Sequence, residues 1–472
     1  MRKNAKVNGL KRISINKITR INDKATNIFL GVLAIAAVAA YLMVVILFFD
    51  PFYNLANCAT YFLAIFICLY GVVDFFRNGL KIANAFLISF YFFLAVNCLG
   101  LSYLQRPKTL LDMYYFFFGP VLFYCALSLL ENMRINIKKR ITLKIQMDWV
   151  NWGLLVAFCG LYLFVFATKG IRLFSTTLKS EQARLFVIPG VSGLIDMLGW
   201  TLLMLSLNAK NKHLKWLMIV VPVLFTLLNA SRTLTMRMGA FVVCLFLFSR
   251  GKKISSIKLI SLILVIAILV VVLFGVWGNY RERISGWSNL ADIGISTALE
   301  SKVDNDILGW LYGYSAINYD VLKQRIIERE FTVPFRHLFV PIIRAIGGSE
   351  AVGAYNAEIG KAFGKSLNGF NATTFLASPI MELREFYFIE LLLLALIIGV
   401  CVMLSRAVGF RGAYVYFTMA SIMSVFGDYY IDINGDYAII LGLLVCVLVN
   451  QYPTYTEKQE VKKQPEKGMG KL

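Results

Sequence analysis

Apolar residues fall in blocks of about twenty along this chain, separated by short polar segments, and the blocks read as spans at 27–49, 57–76, 82–101, 113–131, 148–168, 186–208, 216–231, 236–249, 257–279, 385–404, 412–427 and 437–451. Twenty residues at 1.5 Å each cover the roughly 30 Å of a bilayer's hydrocarbon. Lipid offers backbone amides no partner, so each block must satisfy its own hydrogen bonds as a helix. The expected fold is all-α, a polytopic membrane protein with about twelve transmembrane helices. One joint is strained: 34 residues lie between Lys215 and Arg250, long for one span and short for two. Two short helices turning near Ser231–Thr235 keep the later basic segments on the inner side, so the hairpin is the preferred reading.

Charge supplies the orientation. The first 24 residues carry Arg2, Lys3, Lys6, Lys11, Arg12, Lys17, Arg20 and Lys24 against Asp23, which assigns the N-terminus to the cytoplasm. Of the 48 lysines and arginines, 29 fall in segments assigned inward, and 11 of the remaining 19 lie in one long outer loop. The net charge of +21 is thus a topology signal, and no nucleic-acid partner is expected. The apolar fraction of 58% with 16% charged residues excludes an ordinary soluble domain. All eight cysteines sit inside apolar blocks, which excludes a disulfide framework or a CxxC metal site. The first block is too long for a signal-peptide core and is expected to remain as a helix.

Three regions follow: a basic cytoplasmic segment at 1–26, a transmembrane domain at 27–451 and a polar tail at 452–472 expected to be disordered. A loop of 105 residues at 280–384, with eleven acidic and eleven basic residues, is inserted between spans nine and ten. A structureless loop of that length is unusual, so a helical cap is expected. Within it Tyr314–Glu330 places Ile317, Val321, Ile326 and Ile327 near one face, the pattern of an amphipathic helix at the membrane interface.

Arginine in or beside hydrocarbon is costly and marks candidate chemistry. Arg232 and Arg237 stand in Asn229-Ala-Ser-Arg-Thr-Leu-Thr-Met-Arg-Met-Gly239, where Arg232 would share a helix face with Asn229 and Arg237 with Thr233. They offer either planar donors to a phosphate or a snorkelling junction. Lys169, Arg172, Lys179 and Arg184 crowd a short outer loop against Glu181 alone, so an anion or anchoring headgroups should balance them. The long loop adds Arg281, Arg283, Arg325, Arg329, Arg336, Arg344 and Arg384, with His337 beside Arg336. A lone histidine there serves structure or acid–base chemistry, and Asp304, Asp306, Glu358 and Glu382 are candidate bases. Asp432-Ile-Asn-Gly-Asp436 resembles the start of a calcium loop but lacks the terminal glutamate, so an acidic turn is the plainer reading. Asp74, Asp196 and Glu390 are single acids in or at the edge of spans, with no evident chain of partners.

Three features together resemble bacterial oligosaccharide repeat-unit polymerases of the Wzy type. They are Ser231-Arg232…Arg237-Met-Gly-Ala240 opening a short span, the single large outer loop, and Phe370-Asn-Ala-Thr-Thr-Phe-Leu-Ala-Ser-Pro379 followed by Glu382…Glu385. Thr233 stands where the family commonly has glycine, and Gly239-Ala240 follow the second arginine, so either Arg232 or Arg237 is the counterpart. The resemblance implies an architecture similar to C-type glycosyltransferases and O-antigen ligases. It also implies transfer of a growing glycan between undecaprenyl-pyrophosphate carriers at the outer face of a bacterial cytoplasmic membrane. Arg232, Arg237 and His337 would be catalytic, and Arg172, Arg184, Arg281, Arg336, Arg344 and Asn371 would hold pyrophosphate or glycan. No metal and no cofactor are expected. Lipid-linked oligosaccharides, membrane lipids, a chain-length regulator and a flippase would be partners. A flippase or other transporter and an O-antigen ligase are the alternative readings.

Overall fold

The computed structural model describes residues 23–48, 54–133, 143–171, 188, 190–229, 232–250, 300–302, 305, 309, 312–313, 315–328, 333–348, 353 and 374–450. They are mainly helices and the loops that join them, with a two-stranded parallel ribbon, β1 (Leu143–Gln146) with β2 (Val449–Asn450), and an isolated bridge between Ser102 and Ser301. The helices in chain order are α1 (Asp23–Phe48), α2 (Leu55–Asn78), α3 (Ile82–Cys98), α4 (Leu110–Glu131), α5 (Met147–Lys169), α6 (Val191–Leu205), α7 (Lys212–Leu228) and α8 (Arg232–Arg250). Then come α9 (Asn318–Glu328), α10 (His337–Gly348), α11 (Ala377–Leu383), α12 (Tyr387–Val408), α13 (Gly412–Met423) and α14 (Ile433–Leu448). Every expected span except 257–279, which lies outside the described residues, falls on one of these helices.

Among the described residues, five helical stretches are long and apolar enough to cross a membrane: Leu55–Asn78, Leu110–Glu131, Met147–Lys169, Val191–Asn208 and Ala377–Val408. Ile82–Cys98, Thr233–Phe248, Gly412–Met423 and Ile433–Leu448 are shorter apolar helices. Residues 212–250 form two helices, α7 and α8, that pack on each other, as the hairpin reading requires. Asn229 caps the end of α7, and α8 opens at Arg232. The expected shared face of Arg232 and Asn229 is corrected accordingly, because no single helix carries both.

Local chemistry sets the helix ends. Asn54, Thr109, Asn211 and Asp432 accept amides of the first turns they precede, and Gly79, Gly170 and Gly409 take positive φ where α2, α5 and α12 stop. In α4 the ladder widens to a π turn at Tyr114–Phe118. The Tyr387 hydroxyl from α12 inserts there, accepting the Gly119 amide at 2.8 Å and reaching the Tyr115 carbonyl at 2.9 Å. A side chain inserted in the ladder is a known cause of such bulges. A Cβ at Gly119 would lie 2.4 Å from that ring, so only glycine admits it.

The connections gather at two ends of the bundle. At one, Asn208 bonds the Gly409 carbonyl, Asp148 accepts the Lys210 and Asn211 amides, Glu131 meets the Ala83 amide and the Tyr414 hydroxyl, and β1 pairs with β2. These are the segments that charge assigns to the cytoplasm. Trp149, Trp152 and Trp216 are exposed on the helices that start there, as in an interfacial aromatic belt. At the other end the long loop closes on the bundle. Lys108 pairs with Asp320 at 3.1 Å and Lys323 with Asp112 at 2.6 Å, all four side chains being no more than 8% exposed. Asn97 and Gln105 also bond Asp320, and Tyr312 bonds Gln105. Burial alone would lower the Lys108 pKa, but Asp320 and its neighbours hold it above the ordinary lysine value.

These contacts correct the expectation for Tyr314–Glu330. Ile317, Tyr319, Val321 and Leu322 are buried in protein, with Asp320 and Lys323 beside them. The described part of this segment is therefore a plug tied into the bundle by ion pairs, with Ile317 and Val321 against protein in place of lipid, while the side chains of Ile326 and Ile327 lie outside the described residues. Its polar residues could not be read as buried from sequence because their partners lie some 200 residues away.

Losing one member of such a pair leaves a bare charge in a dry site. We expect Lys323→Ala to cost about 3–5 kcal/mol, and a Lys323→Met, Asp112→Leu double variant to recover most of it. Apparent unfolding temperature and detergent-solubilised yield would check this. Equal loss in the single and double variants would show that packing, and not charge, holds the plug.

Candidate functional site

The second end of the bundle also carries two buried cations, and both were nominated by sequence. Arg237 sits in the second turn of α8, 7% exposed. Its Nη2 donates to Asp432 Oδ2 at 2.6 Å and reaches the Tyr416 hydroxyl at 3.4 Å. The guanidinium lies 4.5 Å from the Tyr429 ring and 5.2 Å from the Trp200 ring. Two aromatic faces and one carboxylate hold the plane still, and the attraction is greater where water is excluded. The Arg237 Nε is buried without a hydrogen-bond partner among the described residues. Asp196 lies within electrostatic reach of both Arg237 and Asp432.

His337 opens α10 in a short 3-10 turn and is buried. Its Nδ1 lies 2.6 Å from Glu390 Oε1 on α12, its Nε2 contacts Asp428 Oδ2, and its backbone amide donates to Glu382 of α11 at 3.0 Å. Burial would lower its pKa, but Asp428 and Glu390 outweigh burial and raise it from 6.5 to about 10. The two carboxylates favour the charged imidazolium, the form that can donate from both nitrogens.

His337, Glu382 and Glu390 offer ligand atoms within 4.8 Å of one another, a spacing that a metal ion would tolerate. Neighbouring ligands on one tetrahedral ion with bonds near 2.0–2.1 Å stand about 3.3 Å apart. The 2.6 Å from His337 Nδ1 to Glu390 is the length of a charge-assisted hydrogen bond, so the group is an ion-paired cluster.

Both cations converge on one turn, Gly427–Asp432, between α13 and α14. Asp428 and Asp432 were weighed only as part of a faint calcium-loop pattern; Asp432 instead caps α14 through the Gly435 amide at 3.0 Å and binds Arg237. Glu390, read as an acid without partners, has His337. Asp428, Asp432, Glu390, Tyr416, Tyr429 and Trp200 were the residues that sequence reasoning did not place in the site. The available signal was a carboxylate inside an apolar span in a chain with only two histidines.

Of the remaining nominated residues, Arg344 is half-buried on α10 and reaches the start of α6. A Cβ at Gly193 would lie 3.5 Å from its Nη2 and 3.6 Å from Asn434 Oδ1. Arg336 is half-buried beside His337. Arg232 is the first residue of α8, and its side chain lies outside the described residues. Arg172, Arg184, Arg281 and Asn371 lie outside them altogether, as do the candidate bases Asp304, Asp306 and Glu358.

Comparison with family models, curated proteins and solved structures found no match for the chain. Its class is set by the fold alone: a helical membrane protein with a buried, charge-paired site at one end of the bundle.

The raised His337 pKa fixes a pH dependence. A group whose folded pKa exceeds its unfolded value stabilises fully below the unfolded value, roughly 6.5, and that contribution is lost as pH rises through about 10. We expect apparent unfolding temperature to fall across this window and His337→Gln to flatten that fall. Scans in detergent from pH 6 to 10.5 would check it, and parallel curves for variant and parent would refute the assignment.

Proposed function

We propose that this protein is a membrane glycosyltransferase that polymerises oligosaccharide repeat units carried on undecaprenyl pyrophosphate. It acts at the outer face of a bacterial cytoplasmic membrane, with about twelve spans and both termini inside. The observation that carries the reading is the convergence of Arg237 and His337, two buried cations from distant parts of the chain, on one turn at the end where the large loop docks. Glycan transfer from a lipid carrier breaks the bond between the sugar's anomeric carbon and the pyrophosphate oxygen. The acceptor hydroxyl forms the new bond, its proton is released, and the departing pyrophosphate gains negative charge. Fixed cations in a water-poor site stabilise that developing charge without reorganising.

Arg237 suits this task because a guanidinium already bound through one nitrogen still has donors left for a phosphate oxygen. Arg344 and Arg336 stand on the same side and would extend the positive surface for the second carrier. An O-antigen ligase would use the same donor and differ only in acceptor. A flippase would carry the lipid-linked unit across without breaking a bond.

Arg237→Lys separates these readings. Lysine keeps the charge but loses the planar donor set, removing a contact worth about 1.5–3 kcal/mol, so polymer formation should fall roughly 10–100-fold at normal membrane levels. Single repeat units should still reach the surface. Loss of all surface glycan with the lipid-linked unit trapped inside would replace the polymerase with a transporter, and undiminished polymer would remove Arg237 from the chemistry.

A further inference from the structure

We propose that Asp428 and Asp432 are positioning residues: from one short turn they hold His337 and Arg237 in fixed relation, so that Arg237, steadied beside the ion-paired His337, addresses a phosphate-bearing ligand. The ligand rests on the polymerase reading; the positioning does not.

Each carboxylate is fastened to the turn's own backbone before it meets a cation. Asp428 Oδ1 accepts the amides of Tyr430 at 3.0 Å and Ile431 at 3.3 Å, which leaves Oδ2 for His337 Nε2. Asp432 Oδ2 accepts the Gly435 amide as the cap of α14 and receives Arg237 and the Tyr416 hydroxyl on the same oxygen. A carboxylate tied down by amides cannot swing, so it fixes whatever it binds. The turn is itself pinned. Tyr430 donates to Ser421 Oγ at 2.9 Å, Asn318 Nδ2 to the Val425 carbonyl at 2.9 Å, and the Phe375 amide to the Ser424 carbonyl at 2.9 Å. Gly435 completes the arrangement, since a Cβ there would stand 1.9 Å from the Tyr416 hydroxyl and 2.8 Å from Asp432 Oδ2.

Exposure gives the arrangement a direction. The side chains of Asp428 and Asp432 are 14% and 20% exposed, against 6% and 8% for His337 and Arg237. The aspartates are the more exposed members of the two pairs. Among the described residues the buried Arg237 Nε–H has no partner, so it is a donor that the ion pair has not consumed. The charged groups facing His337 are Glu382 from α11, Glu390 from α12 and Asp428 from the turn, with Arg336 adjacent in sequence.

Two readouts test this. The chain has two histidines, and the other, His213, is exposed at the opposite end of the bundle. In a His213→Asn background, 15N-histidine NMR therefore reports His337 alone. The ring should stay doubly protonated above pH 8 in the parent and titrate at least one pH unit lower in Asp428→Asn. Asp428→Glu, which keeps the charge on a longer arm, should fold and shift the Nε2 resonance if the amide variant does not accumulate. An unmoved ring in a folded Asp428 variant overturns the positioning, whatever the protein does. For Asp432, binding of farnesyl pyrophosphate to the purified protein should weaken at least tenfold in Asp432→Asn and not be restored in Asp432→Glu. Unchanged or tighter binding in Asp432→Asn overturns its role. A parent protein that does not bind the probe refutes the phosphate-bearing ligand together with the polymerase reading, while the histidine signal still decides the positioning.

Discussion

A charge taken out of water must bring its counter-charge with it, and the organisation of this protein follows from that constraint. The penalty for an unpaired buried ion is several kcal/mol, more than any one surface contact returns. Lys108, Lys323, Arg237 and His337 are buried cations, and each meets a carboxylate from a distant part of the chain: Asp320, Asp112, Asp432, and Glu390 with Asp428. The hydrophobic effect cannot do this job in lipid, because the surroundings of a spanning helix are as apolar as its neighbours. Packing brings the helices together, and the ion pairs select which loop closes over which helices.

The pairs divide into two kinds with different consequences. Around Asp320 the polar groups converge on one carboxylate: Lys108, Asn97 and Gln105 all donate to it, and Tyr312 bonds Gln105. That network fastens the described part of the long loop to the bundle. Around the Gly427–Asp432 turn, Arg237 Nε has no partner among the described residues, and both aspartates are partly exposed. A network that closes completely makes structure, whereas one that holds a cation firmly and leaves it a spare donor is prepared to bind an anion.

Periodicity and charge made most of the fold legible in the sequence, because both are local. Eleven of the twelve expected spans fall on helices, and those inward segments that are described meet at one end of the bundle. The Lys215–Arg250 hairpin was inferred from length and charge alone, and the break lies within a few residues of the expected place. What escaped was long-range pairing. Arg237 and His337 stood out because a cation beside apolar residues is conspicuous by itself. Asp428, Asp432 and Glu390 did not, because an acid in a turn or at a helix end has an ordinary local explanation. Only the fold shows that Asp432 stands 2.6 Å from a residue 195 positions away.

The same distinction bears on how His337 is read. A histidine read in isolation has a pKa near 6.5 and suggests a base. Placed between two carboxylates, its charged form is favoured and its ring is held in one orientation. Arg237 undergoes no such change, because guanidinium stays charged in any protein environment. The two residues thus arrive at the same electrostatic role by different routes. One is a permanent cation that needs only to be aimed, and the other is a switchable group made permanent by its partners. In both cases the charge is balanced by carboxylates of the fold itself, so neither cation relies on a ligand for its charge.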